Sequence, residues 1–298
     1  MSMAKGKGFG KTILFGEHFV VYGKQGIAAG LDKGITVEVQ KHETDKVSTS
    51  EYKRERMESL KAIKNALGVK EGVEIKSVKS ELPGGAGVGS SAALAVAVAR
   101  AINNELRLGK SEEDICNAAY ESEKIYHGTP SGIDNTAATY GGIIVFRKRK
   151  NGNVIKRLKL KKPFYVVLGI SGKHGITKEL VGMVRKKKEQ NEKWFSKILY
   201  RYARISRNAL DALERGELEK AGKLMDDNQK MLREIGVSTK ELEEIIDVAK
   251  RNGALGAKLT GAGGGGCVVA LAENEEKAKK ILLGIRKAGY RGFYSKVG

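Results

Sequence analysis

A run of ten residues rich in glycine, followed at once by an alanine- and valine-rich stretch, restricts the fold of this chain more than any other feature. The run consists of Pro83, Gly84, Gly85, Ala86, Gly87, Val88, Gly89, Ser90, Ser91 and Ala92. Apolar spacing over residues 91–106 predicts a helix that begins where the run ends. Helix N-terminal amides bind anions, and glycine lets phosphate oxygens come close to the backbone. The run therefore predicts a phosphate site, the alternative being a glycine turn closed by a capping serine.

Two better-known phosphate-binding patterns do not fit the chain. A Walker loop needs a lysine directly after its last glycine, and Ser90 stands there instead. Glycine residues between 261 and 266 match the spacing of a dinucleotide-binding loop. That loop must lead into a helix, whereas residues 267–272 are predicted to form a strand. The run at 83–92 therefore remains the phosphate-site candidate.

Composition excludes several classes of protein. The longest apolar run, residues 92–99, is far shorter than the roughly 20 residues that span a bilayer. Two cysteines, Cys116 and Cys267, are too few for a disulfide framework or a four-ligand zinc site. A net charge of +20 is typical of nucleic-acid binding, but only 6% of residues are aromatic, and such proteins stack bases on aromatic rings. We expect a cytoplasmic protein that binds no membrane, whose positive charge attracts small anionic substrates rather than nucleic acid.

The alternation of apolar and polar residues predicts an α+β fold with two lobes. Strands are predicted near residues 35–39, 73–78, 141–146 and 165–171, with a basic, polar connection at 147–162. Residues 177–252 are helical in pattern, with breaks at Gly216 and Gly236, and a strand–loop–strand unit follows at 258–272. The strand-rich first half and helix-rich second half predict an N-terminal lobe at 1–163 and a C-terminal lobe at 164–298.

Two further segments carry charged residues in positions suited to chemistry. An apolar strand is predicted to start at Lys11 and to end at the pair Glu17 and His18. Asp134 lies in a predicted Gly/Pro-rich loop at 127–135, where an acid can serve as a base, bind a metal or simply cap a turn. Taken singly, neither segment decides between a chemical and a structural role.

Together and in this order, these segments resemble the GHMP kinases, the superfamily of galactokinases and of homoserine, mevalonate and phosphomevalonate kinases. The resemblance covers nearly the whole chain and includes the final Lys-Leu-Thr-Gly-Ala-Gly-Gly-Gly-Gly-Cys at 258–267. Residues 14–23 and 127–135 are most similar to mevalonate kinases of the archaeal type. One departure is Gly8-Phe9-Gly10, where the superfamily usually has Ala-Pro-Gly.

The resemblance implies a role for each residue that matches a superfamily motif. Asp134 matches the catalytic aspartate, and Lys11 matches the lysine that pairs with it. Ser91 and Glu123 match the magnesium ligands, and the run at 83–92 matches the ATP-phosphate loop. The matches to the substrate end of the site are Glu17, His18, Gly261, Ala262 and Gly263.

The resemblance also implies a fold and an activity. The fold would have an N-terminal lobe like the second domain of ribosomal protein S5 and a helix-rich C-terminal lobe. The activity would be ATP- and Mg²⁺-dependent phosphorylation of mevalonate to 5-phosphomevalonate, and a homodimer is a superfamily-level expectation. Three alternatives stay open: another kinase of the superfamily (for phosphomevalonate, homoserine or a sugar), a regulatory protein that binds ATP without turnover, and a basic nucleic-acid-binding protein.

Overall fold

The computed structural model describes residues 3–50, 52, 56–83, 87–127, 130–149, 153–173 and 177–298. The chain forms two compact units that are not continuous in sequence. The first consists of Met1–Lys11, Gly30–Gly84 and Val88–Gly141, and the second consists of Thr12–Ala29, Gly85–Gly87 and Gly142–Gly298. The chain therefore passes from one unit to the other five times, after residues 11, 29, 84, 87 and 141. The division into lobes at 1–163 and 164–298 stays a prediction.

Two long strands contribute to both units: β1 (Ala4–Phe15) and β2 (Gln25–His42), which pair with each other. The other elements of the first unit are β3 (Lys46–Val47), α1 (Met57–Leu67), β4 (Gly72–Ser80), α2 (Ser90–Glu105), α3 (Glu112–His127) and α4 (Ile133–Tyr140). The second half of β2 pairs with β4 in antiparallel register, from Ile35 opposite Ser80 to His42 opposite Gly72. Helix α2 packs against α1, α3 and α4, and its alanine and valine side chains are buried among them.

The second unit is built on a four-stranded antiparallel sheet. Its elements after β2 are β5 (Ile143–Arg147), β6 (Val154–Leu158), β7 (Phe164–Ile170), α5 (Thr177–Gln190), α6 (Glu192–Arg215), α7 (Leu218–Glu234), α8 (Lys240–Arg251), β8 (Gly256–Thr260), β9 (Cys267–Ala272), α9 (Glu275–Lys287) and β10 (Arg291–Val297). The sheet has the order β10-β7-β9-β8. Helices α8 and α9 pack on it, and α7 lies along β8. The buried core is mostly aliphatic, and its large aromatic members are Phe19 together with Phe195 and Tyr202 of α6.

The structure confirms most of the predicted elements and corrects four. Residues 154–158, predicted as part of a basic connection, form strand β6 through pairing with β5. The helical region breaks additionally at Asn191, whose side chain caps α6 by accepting from the Trp194 amide. The other two corrections, a longer β1 and a helix at Asp134, concern the site. In the part of the chain that the structure describes, no helix combines the length and apolar character needed to cross a membrane.

Candidate active site

Lys11 lies inside β1 and not at its start, which corrects the sequence prediction. The strand begins at Ala4, and the Lys11 side chain is buried, at 8% exposure, although it follows the buried Gly10 and so breaks the alternation of the strand. The Lys11 backbone amide donates to the carbonyl of Val88 at 2.8 Å. Strand β1 therefore meets the described end of the glycine-rich run directly.

The start of α2 has the features of an anion site. Gly89 is the N-cap residue, in the left-handed region at φ 76°, and no side chain caps the helix, so the alternative of a capping serine is not what the structure has. Ser90 and Ser91 occupy the first turn, half-buried, and no acidic side chain lies in that turn. Their amides and hydroxyls therefore remain at the positive end of the helix dipole. Of the predicted phosphate-loop residues, the structure describes Pro83, Gly87, Val88, Gly89, Ser90, Ser91 and Ala92, whereas Gly84, Gly85 and Ala86 lie outside the described residues.

Gly89 is required by the path of the lysine side chain. A Cβ atom at Gly89 would lie 2.8 Å from Cγ of Lys11 and 3.2 Å from its Cε. Real Cβ contacts are almost never shorter than 3.0 Å. Glycine is thus the residue that lets the Lys11 side chain run across the N-terminus of α2.

The ammonium group of Lys11 forms an ion pair with Asp134. Its Nζ lies 3.2 Å from Oδ1 of Asp134, and the ammonium side chain is buried while the aspartate side chain is 40% exposed. Asp134 does not lie in a loop, as the sequence predicted, but in the first turn of α4, whose N-cap is Gly132 at φ 84°. The geometry leaves the carboxylate open to a reactant, while the ammonium is held beneath it. Of the 127–135 motif, Gly128, Thr129 and the side chain of His127 lie outside the described residues.

A buried hydrogen bond anchors the helix turn that carries Asp134. The next residue, Asn135, is buried, and its Nδ2 donates to the Cys116 carbonyl at 3.1 Å and contacts Sγ of Cys116 at 3.2 Å. Thr136 also bonds back to the Gly132 carbonyl through its hydroxyl, at 2.6 Å. These bonds fix the first turn of α4 against α3. Cys116 is itself buried and not in a disulfide.

In the second unit, Glu17 forms an ion pair with Lys258. The carboxylate Oε1 accepts from the Lys258 ammonium, and both side chains are 0% exposed. Burial lowers the pKa of Lys258, and the Glu17 carboxylate opposes that shift. Glu17 was predicted to face the substrate, and in the structure it contacts this lysine. A direct role of Glu17 toward substrate stays a prediction.

His18 follows in a strained backbone conformation. Its φ is 62°, which a residue other than glycine seldom adopts. Its Nε2 lies 2.8 Å from the carbonyl oxygen of Ala262, at the beginning of the glycine-rich loop. Burial lowers the pKa of His18, and the bond to Ala262 opposes that shift only in part. His18 and Ala262, both predicted for the substrate end, are therefore in contact.

The glycine-rich loop after β8 is fixed to its own unit through its backbone. The amides of Gly264 and Gly266 donate to the carbonyls of Val237 and Lys173, at 2.8 and 2.7 Å. A Cβ at Gly263 would lie 2.2 Å from the Val237 carbonyl oxygen. The amides of Gly264 and Gly266 are therefore paired within the second unit, while the substrate role of Gly261, Ala262 and Gly263 stays a prediction.

Comparison with known proteins identifies the family. Residues 55–142 match the family model of the GHMP kinases N terminal domain, and residues 209–291 match that of the GHMP kinases C terminal domain. The chain is 37% identical to the mevalonate kinase of Pyrococcus furiosus over 315 aligned positions, which cover 94% of this chain and 91% of the relative. The chain belongs to the GHMP kinases.

Solved structures support the same assignment. A crystal structure of the mevalonate kinase of L. major in complex with R-mevalonate has a TM-score of 0.89 and 32% identity, covering 99% of this chain and 96% of that one. A crystal structure of the mevalonate kinase of Methanococcus jannaschii has a TM-score of 0.83 and 28% identity, covering 100% and 99%. The predicted GHMP kinase fold is thereby confirmed.

The residues predicted as magnesium ligands in this GHMP kinase fit the chemistry of that ion. Glu123 on α3 is 2% exposed, and Ser91 lies in the first turn of α2, which packs against α3. A carboxylate and a hydroxyl are the hard oxygen donors that Mg²⁺ prefers, and kinases commonly bind it through one or two such groups plus substrate phosphates. Among the described residues no group of three His, Cys, Asp or Glu side chains is placed to hold a metal. Such a group is not needed for a site that the nucleotide completes.

Sequence reasoning missed Lys258 as an individual residue. Lys258 belongs to the motif at 258–267, but within that motif only Gly261, Ala262 and Gly263 were assigned a role. The signal was its place in strand β8, where Ala257 and Leu259 flank it and the strand is buried on both sides. A lysine in such a strand needs an acid partner inside the protein.

Proposed function

We propose that this GHMP kinase transfers the γ-phosphoryl group of ATP to the primary hydroxyl of mevalonate, giving 5-phosphomevalonate and ADP. The observation that carries the proposal is the Lys11–Asp134 pair beside the N-terminus of α2. The similarity to mevalonate kinases, one of them crystallised with R-mevalonate, supports the choice of substrate.

The charges of the pair suit the transfer step. The hydroxyl oxygen attacks the γ-phosphorus, the bond from that phosphorus to ADP breaks, and the hydroxyl proton passes to the partly exposed carboxylate of Asp134. The Lys11 ammonium stabilises the negative charge on the incoming oxygen and the transferring group, because it is already desolvated and fixed in place. The amides of Ser90 and Ser91 hold phosphate oxygens at the positive end of α2.

Mg²⁺ would be held by Ser91 and Glu123 together with the nucleotide phosphates. When bound, the ion neutralises phosphate charge and lowers the cost of bringing the hydroxyl to an anionic group. The side chains of this chain have the complementary task of orienting the two reactants.

His18 and the residues Gly261, Ala262 and Gly263 would bind mevalonate, with Glu17 beside them. Cytoplasmic location and a homodimer stay predictions from the sequence.

A substrate panel tests the proposal. ADP release is measured by a coupled assay with mevalonate, phosphomevalonate, homoserine and galactose at equal concentrations. Mevalonate should give the highest kcat/KM. Turnover of phosphomevalonate or homoserine with none of mevalonate would move the chain to another branch of the GHMP kinases. Absence of any turnover, with ATP still bound, would favour the regulatory alternative.

A further inference from the structure

A fully buried ion pair is an unusual way to hold a loop. Lys258 and Glu17 have side chains with 0% exposure, and the Lys258 ammonium also donates to the Leu259 carbonyl at 2.7 Å. A well-packed apolar pair in such a place is commonly as stable or more stable, because two charges lose their hydration. Stability alone therefore does not account for a lysine here. What the pair adds is a directional link between two chain segments.

Lys258 is the first of three alternate residues, 258, 260 and 262, that each contact the segment 13–18. Beyond Lys258, the Thr260 hydroxyl accepts from the Ile13 amide at 3.0 Å, and the Ala262 carbonyl contacts His18. These three residues of β8 and the following loop thus hold the segment 13–18 at both ends. In the described sheets β8 does not pair with β1, so these contacts are not part of a backbone ladder between the two strands.

Strand β8 is the edge strand of its sheet, and on the edge that does not pair with β9 it is held by α7. The amides of Ala257 and Leu259 donate to side chains of α7, namely Asp226 at 2.9 Å and Gln229 at 3.0 Å. An edge strand whose outward amides are paired in this way cannot slide easily along its axis. Lys258 therefore projects from a rigid base.

The bond to Ala262 determines which nitrogen of His18 is left for a ligand. A carbonyl oxygen only accepts, so Nε2 must carry the proton. Burial lowers the pKa of His18, so the ring is neutral near pH 7 and its Nδ1 is an acceptor. An acceptor at Nδ1 binds a hydroxyl donor and disfavours a carboxylate. The charged and titratable groups around this turn are Glu17, Lys258 and Tyr202, whose ring stacks on Phe19 at 4.3 Å.

We propose that Lys258 is a positioning residue, which holds Glu17 and thereby orients His18 so that its Nδ1 accepts a hydrogen bond from a hydroxyl group of the substrate. This inference rests on the proposed function for the identity of the substrate. Under this proposal Lys258 acts on the substrate through the turn at 17–18.

The first test compares two buried lysines. Lys64 is a matched control, because it is also buried and its Nζ pairs with Asp45 at 2.6 Å in the first unit. Lys258→Met should raise the KM for mevalonate by about tenfold or more, since small misplacements of binding groups are costly, while the KM for ATP stays near the wild-type value. Lys64→Met should leave both KM values unchanged. Equal mevalonate KM values for folded Lys258→Met and wild type would overturn the proposal.

A neutral double variant guards against simple loss of folding. Glu17→Gln combined with Lys258→Met removes both buried charges, so it should unfold at a higher temperature than Lys258→Met. Under the proposal its mevalonate KM stays raised although stability returns. A purely structural pair predicts that stability and KM recover together, and that result would contradict the proposal.

A spectroscopic readout needs no substrate. In ¹⁵N-labelled protein, the ring signals of His18 are assigned by their loss in His18→Gln. The wild type should show the neutral form with the proton on Nε2, and the double variant should show a mixture of both neutral forms. If the wild type fails to phosphorylate mevalonate, the proposed function is wrong while this experiment still decides on positioning. An unchanged His18 spectrum in the double variant would reject positioning even in an active kinase.

The single variant Glu17→Gln separates positioning from direct contact. If Glu17 acts by holding the turn, this variant should change both the His18 spectrum and the KM for mevalonate. A raised KM with a wild-type His18 spectrum would show that Glu17 touches substrate itself, against the proposal.

Discussion

Gly89→Ala should damage catalysis far more than it damages folding. The backbone at Gly89 is left-handed, at φ 76°, and an alanine there costs about 1–2 kcal/mol. The new Cβ would also lie 2.8 Å from Cγ of Lys11, so the lysine must move by more than half an ångström to reach an ordinary contact of 3.4 Å. Since a misplacement of about 1 Å can cost about 10²-fold in rate, we expect kcat to fall by about 10- to 100-fold.

Two other glycines provide controls for this prediction. Gly68, at the C-cap of α1, has φ 74°, and an added Cβ there would meet nothing within 4 Å, so Gly68→Ala carries the backbone cost without the clash. Gly87→Ala tests the loop itself, because its φ is 69° and its Cβ would also meet open space. Urea unfolding and the coupled ADP assay are run on all three. A kcat loss in Gly89→Ala that Gly68→Ala does not share, with similar losses of stability, would support the geometry, whereas a folded Gly89→Ala enzyme with near-normal kcat would refute it.

Three further predictions concern other parts of the site. Ser91→Ala should raise the magnesium concentration needed for half-maximal rate and Glu123→Gln should lower kcat strongly; magnesium titrations that match the wild type would show that the ion binds elsewhere. Because the pKa of His18 lies below 6.5, the neutral ring persists at and above that pH, so kcat/KM for mevalonate and the histidine's contribution to stability should both fall only as pH drops below 6.5; a wild-type acid limb in His18→Gln would contradict this. Asn135→Ala should cost about 1 kcal/mol of stability and lower kcat with little change in substrate KM, because the turn bearing Asp134 loses its anchor; unchanged kcat would show that the anchor is dispensable.

Local signals predicted those parts of the structure in which one pattern dominates. The Ser-x-x-Asp sequence at 111–114 is close to a capping box, which predicts a helix start. In the structure the Ser111 amide donates to the Asp114 carboxylate, and the Asp114 amide donates to the Ser111 hydroxyl. The breaks predicted at Gly216 and Gly236 coincide within a few residues with the ends of α6 and α7. These features depend on neighbours close in sequence, so the sequence alone carries them.

Features that depend on distant partners were harder to predict. Strand β6 has exposed basic side chains, and it forms because its backbone pairs with β5. The composition of the segment does not indicate that pairing. Helix α4 is short and begins within a Gly/Pro-rich segment that resembles a loop. The Lys258–Glu17 pair joins residues 241 positions apart, so no local window contains both. The Lys11–Asp134 pair is equally non-local and was predicted through the family resemblance.

The most direct measurement is a rapid-quench single-turnover experiment with ATP and mevalonate on Asp134→Asn, Lys11→Met and the double variant. If the pair acts as one unit, Asp134→Asn should slow phosphoryl transfer by about 10²–10⁴-fold with mevalonate still bound. The double variant should then lose much less than the product of the two single losses, because coupled groups are not additive. A folded Asp134→Asn enzyme that transfers the phosphoryl group at nearly the wild-type rate would contradict the assignment of catalysis to this pair.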